Sequence, residues 1–175
     1  MTRKILTYEI FGAVWAIFLG SFLHFAYALR SDNKLVALFA AVNESTWEHL
    51  KLGFWPLLFW GILEYFVFGK QVINFFLAKF ASLFLFTISV PILFYSYTVI
   101  LGTDFLLADI SIFIIGILLG QFVSYKIMTS RKNLGGERIA QVLIALMTLA
   151  FLLLTFFPPH IFLFQDPISG TYGIR

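Results

Sequence analysis

The sequence predicts an all-α membrane protein: a single domain folded as a bundle of about five transmembrane helices. Three observations predict it. Of the 175 residues, 61% are hydrophobic and 12% charged, whereas soluble domains carry about 45–50% apolar and about 25% charged residues. Apolar runs near the length of about 20 residues needed to cross the hydrocarbon core recur five times. Short polar turns separate them, with no internal repeat, low-complexity tract or linker.

The first predicted span covers residues 5–29, after the basic start Thr2-Arg3-Lys4. Glu9, Gly12, Ala16, Gly20 and His24 fall along one helical face, and its small residues suit close helix contact in lipid. A rival expectation is a signal peptide, because Ala26-Tyr27-Ala28 mimics a small-x-small cleavage site; the length of the run and Glu9 stand against it. Residues 30–34 read as a polar turn and 35–42 as an interfacial segment too short to span. The second predicted span covers 47–68. It is preceded by Ser45-Thr46-Trp47-Glu48, a capping box in which Ser45 accepts from the amide of Glu48 and Glu48 reaches back. Pro56 is expected to bend this helix near Leu52.

Residues 69–79 read as an amphipathic connector with Lys70 and Lys79 at its ends. The third predicted span, 80–101, contains Pro91, with Thr87, Tyr95 and Thr98 on the same face. The fourth, 105–127, carries Asp109, Gly116 and Gly120 on one stripe, including a GxxxG pattern that favours helix contact. The fifth, 139–157, is stopped by Pro158-Pro159. A tail follows, with a turn sequence over Asp166-Pro167-Ile168-Ser169-Gly170.

Short cytoplasmic loops collect Lys and Arg. One side receives Arg3, Lys4, Lys70, Lys79, Lys126, Arg131, Lys132 and Arg138; the other receives Arg30, Lys34, Lys51 and Arg175. This predicts a cytoplasmic N-terminus, a C-terminal tail outside, and placement in a prokaryotic plasma membrane. Asp32, Glu44, Glu48, Asp104, Asp109 and Asp166 then fall at the outer end, and all three histidines with them. No Lys/Arg cluster reads as a nucleic-acid surface.

The absence of cysteine excludes disulfides, thiolate metal sites and Cys nucleophiles. Histidines and carboxylates at one face suit zinc or another divalent metal. His24, His49 and His160 are the candidate ligands, with Asp104 or Asp166 as a fourth and Glu44 or Glu48 as general base. Three ligands and an open position would lower the pKa of a bound water to about 7 and generate a nucleophile. Each residue also has a structural reading. Ser45 and Glu48 cap a helix; Asp109 meets a helix dipole; Asp166 forms a turn; His24 bonds a neighbouring helix. Glu44 is what the caps leave unexplained. It precedes the helix, and only Lys51 nearby carries the opposite charge.

The segment Val42-Asn43-Glu44-Ser45-Thr46-Trp47-Glu48-His49-Leu50-Lys51 resembles the signature of an uncharacterised family of small bacterial and archaeal integral membrane proteins. The stretch 20–27, with its His24-Phe25 pair, and the tail 158–173 resemble the same family. The resemblance implies a multi-span membrane protein and carries no activity with it. A Ser, an Asp and three His in a helical membrane protein are similar, by analogy alone, to ceramidase-like intramembrane zinc hydrolases, which have seven spans and a paired HxxxH that this chain lacks.

Three functions therefore stand as expectations. The first is a metal-dependent hydrolase of a lipid or membrane-adjacent amphiphile. The second is a transporter or ion-binding protein using Glu9, Glu64 and the outer carboxylates, weakened by the lack of an internal repeat. The third is a non-catalytic scaffold whose outer cap binds a protein partner of unknown identity.

Overall fold

The computed structural model describes residues 1–29 and 33–174. It contains α1 (Thr2–Leu29), the short α2 (Lys34–Ala37), α3 (Thr46–Val67), α4 (Phe75–Leu101), α5 (Leu106–Met128) and α6 (Glu137–Leu154). Single 3-10 turns lie at Gly69–Gln71 and Phe162–Phe164. All but α2 are long and apolar enough to cross a membrane. Large apolar side chains, among them Phe18, Phe66 and Leu107, stand exposed along these helices. So much exposed apolar surface marks a protein whose solvent is lipid. The chain is an integral membrane protein.

α1 lies against α3 and α5, and α4 lies against α3, α5 and α6. In lipid, close backbone approach and interhelical hydrogen bonds replace the hydrophobic drive of a soluble core. The GxxxG residues face α4: a Cβ on Gly120 would sit 2.8 Å from the Ser82 carbonyl oxygen, and one on Gly116 2.9 Å from Val90. At the other interface, a Cβ on Gly20 would lie 2.4 Å from the Leu52 carbonyl oxygen. Pro56 has no amide hydrogen to offer that carbonyl. α3 runs unbroken through Pro56, and the backbone of α1 closes over the carbonyl the proline has freed.

The connector expected over residues 69–79 is shorter than predicted, because α4 begins at Phe75. Its first amides are satisfied from a distance. The Glu137 carboxylate accepts from Phe76 N at 3.0 Å and Leu77 N at 3.1 Å, while Asn74 donates to Lys132 O and accepts from Leu134 N. An acceptor at exposed helix amides also complements the dipole. Glu137→Ala is expected to lower unfolding stability by about 0.5–2 kcal/mol, measured by thermal denaturation in detergent; an unchanged transition would refute this capping role.

The fifth spanning helix ends at Leu154 rather than 157, and the tail folds back. Trp47 stacks on Phe151 and Phe164, with ring centroids 4.5 and 4.7 Å apart, and Phe54 stacks on Phe151 at 4.2 Å. A bridge joins Gln165 to Tyr172. Asn43 Nδ2 donates to Gly173 O at 3.0 Å, across a turn in which Gly173 has a φ of 68° that L side chains rarely adopt. The tail thereby rests on the segment that opens α3.

Candidate metal centre

Residues 43–51 build the site from a helix start. Ser45 is the N-cap of α3, its side chain accepting from Glu48 N at 3.4 Å. The return half of the predicted capping box does not form. Asn43 Oδ1 takes the Ser45 amide at 2.9 Å, and the Glu48 carboxylate turns inward, accepting from Val42 N at 3.1 Å and pairing with Lys51. Lys51 is fully buried and donates also to Ala37 O and Thr155 Oγ1, at 2.8 and 3.1 Å. A buried carboxylate neutralised in this way ties the loop before α3 to the bundle. It is not placed to work as a general base.

His49, one turn into α3, has its Nδ1 3.0 Å from the Ser45 carbonyl oxygen. A carbonyl can only accept, so Nδ1 carries the proton and donates. The Nε2 lone pair is then left for another partner, and 3.5 Å away lies Glu44 Oε2. A proton on Nε2, giving an imidazolium–carboxylate pair, or a metal cation between the two atoms would satisfy both. Ligand atoms about 2.1 Å from a tetrahedral zinc stand about 3.4 Å from each other, which matches. His24 comes from the last turns of α1. Its ring centroid is 5.1 Å from that of His49, and its Nδ1 is buried without a hydrogen-bond partner. One ligand atom from each of His24, Glu44 and His49 can be chosen so that all three lie within 4.8 Å of one another, the only such group among the described residues.

The other predicted ligands do not join this group. His160 stacks on Tyr172 with centroids 4.5 Å apart. Asp166 organises its own turn, accepting from Ile168 N at 2.9 Å and from Ser169 Oγ at 2.6 Å. Asp104 is exposed in the turn between α4 and α5, and Asp109 accepts from the Tyr97 hydroxyl. Glu44, expected as a base, stands instead where a ligand would. Asp32 and the cations Arg30 and Arg175 lie outside the described residues.

At the far end of the bundle the structure corrects the expected placement of one cation. Lys79, a connector residue by hydropathy, is buried within α4 and paired with Glu9 and Glu64. The sequence signal for this pairing is two carboxylates placed well inside predicted spans, where a counter-charge must come from the helices themselves.

A family model described as "Family of unknown function (DUF6512)" matches residues 3–174. No curated protein and no solved structure matches the chain.

Proposed function

This chain belongs to the DUF6512 family, and we propose that it binds a divalent metal such as zinc through His24, Glu44 and His49 and acts as a metal-dependent hydrolase of a membrane amphiphile. The observation that carries the reading is the pairing of His49 Nε2 with Glu44 Oε2 at 3.5 Å, with Nδ1 already committed to a backbone carbonyl. Two histidines and a carboxylate leave one position open on a tetrahedral metal, the pattern of catalytic rather than structural zinc. Such a metal supplies Lewis acidity and a bound water acidic near neutral pH. The chain's own residues hold the site at the membrane boundary. Glu44 is exposed, while α1 and α3 carry the histidines towards their ends.

An apolar groove of about 810 Å³, lined by Trp47, Leu50, Pro91, Tyr95 and Phe162, opens beside the start of α3, although none of His24, Glu44 and His49 lines it. Its few polar groups, Tyr95 and Ser96 among them, suit an acyl chain rather than a soluble metabolite. With Lys79 and Lys51 removed from the loops by burial, the remaining cations still favour the face opposite the histidines, which supports an outward-facing site.

Protein purified without chelator and equilibrated with zinc is expected to retain about one metal per chain. His24→Ala, His49→Ala and Glu44→Gln should each weaken zinc binding by about tenfold or more, and His160→Ala should leave it intact. Zinc-free wild type under these conditions would overturn the metal centre. If the protein holds zinc but cleaves no ester, amide or phosphoryl lipid, and zinc restores no activity to chelated protein, the hydrolase reading fails while the metal centre stands.

A further inference from the structure

At the opposite end of the same helices lies a second polar site that the hydrolase reading does not use. Fifteen residues separate Glu9 from His24 along α1, and fifteen separate Glu64 from His49 along α3, about 22 Å in each case at the helical rise. Glu9 from α1 and Glu64 from α3 both contact Lys79 Nζ of α4, the first at 2.7 Å. Glu64 is completely buried, and Glu9 and Lys79 are 3% and 6% exposed. From α5, Ser124 Oγ donates to Glu9 Oε1 at 2.7 Å and Gln121 Nε2 to Glu9 O at 3.2 Å; neither residue is charged.

Two carboxylates against one ammonium leave a net negative charge with no water to solvate it. An uncompensated buried charge is among the costliest arrangements in a protein, and more so in a bilayer. Two carboxylate oxygens, Glu9 Oε2 and Glu64 Oε1, are moreover buried without a well-formed hydrogen bond. The Trp60 indole, whose Nε1 donates to Tyr8 O at 2.9 Å, also lies within reach of the Glu64 carboxylate. Among the neighbouring charged side chains, Arg3 is exposed, Lys4 donates to Val67 O, Lys70 lies over Tyr65 and Phe66, Lys126 lies over Phe122, and Glu137 caps α4.

The geometry points to an occluded proton-binding site, in which Glu9 and Glu64 hold one proton in common and Lys79 is the fixed counter-charge. A proton on either carboxyl neutralises the group. Both carboxylates contact one buried ammonium, and burial of the unmatched second charge favours protonating one of them. A metal cation fits less well, because the Lys79 ammonium already contacts both carboxylates and would repel it. The ligand is therefore the proton itself, bound inside the span, where ionisable groups commonly serve proton transfer.

Charge counting makes this testable by infrared spectroscopy of the purified, folded protein at pH 7, reading the C=O stretch of a protonated carboxyl. Wild type should show one such carboxyl. Glu9→Gln and Glu64→Gln should each abolish it, since either leaves a one-to-one ion pair. Lys79→Met should show two. The two glutamine variants keep size and shape, so they carry the test even if Lys79→Met does not fold. Absence of the band in wild type, or its persistence unchanged in both glutamine variants, would overturn the proposal. So would its loss when sodium replaces choline at constant ionic strength, the mark of a metal-ion site. Removal of zinc by chelator should leave the band unchanged, which separates this result from the fate of the metal centre.

Discussion

Lys51→Met is expected to destabilise the protein by about 3–5 kcal/mol, the cost of breaking a buried ion pair by removing one partner. Lys51 and Glu48 side chains are 0% and 3% exposed. Without the ammonium, the Glu48 carboxylate keeps only the Val42 amide as donor, and the Ala37 carbonyl and Thr155 hydroxyl lose theirs. The double variant Glu48→Gln/Lys51→Met should recover much of the loss, because it removes the stranded charge. Thermal unfolding followed by tryptophan fluorescence checks both. A single variant within about 1 kcal/mol of wild type, in the range of an exposed pair, would show that the bridge is not buried as described. The effect should reach zinc binding too, since these bonds fix the loop that presents Glu44.

Gly20→Ala should destabilise the fold and weaken zinc binding together. Alanine is the better helix former by about 1 kcal/mol, so helix propensity alone predicts the opposite sign. Sterics decide the matter. A methyl group at residue 20 would fall 2.4 Å from the Leu52 carbonyl oxygen and 2.8 Å from Phe113, and a backbone oxygen cannot swing aside as a side chain can. α1 must move off α3, at a cost of about 1–3 kcal/mol for overpacking. His24 lies one turn further along α1 and moves with it. Gly61→Ala is the matched control in α3, where the new methyl would meet only the Lys79 side-chain carbons, at 3.3 and 3.6 Å, and no backbone atom. A stabilised Gly20→Ala, or one with wild-type zinc affinity, would show that this contact does not set the helix register.

The five spans were legible because hydropathy over some 20 residues is a local property. Helix ends were not, where the capping group comes from far along the chain. Glu137 and Asn74 begin α4 five residues before the point at which hydropathy alone would start it. The histidine face was legible from topology, and Glu44 from the failure of local pairing to explain it. Which histidines meet was not legible. His24 and His49 are joined by the antiparallel contact of α1 and α3, whereas His160 is drawn away by Tyr172. Glu48 and Glu44 look alike in sequence, yet the first is consumed by Lys51 and the second is free to face a ligand. Burial separates them, and burial depends on tertiary structure.

Five crossings are an odd number, and the histidine end of the bundle is the end against which the tail folds. Whichever way the chain is inserted, the segment after α6 and the three candidate ligands open into the same compartment, and Glu9, Glu64 and Lys79 lie towards the other. A compartment-sensitive reporter placed after α6 would therefore do more than orient the protein. It would identify the aqueous pool from which metal and any water-soluble product must exchange, and fix the direction in which a change of pH reaches the buried carboxylates by the shorter path.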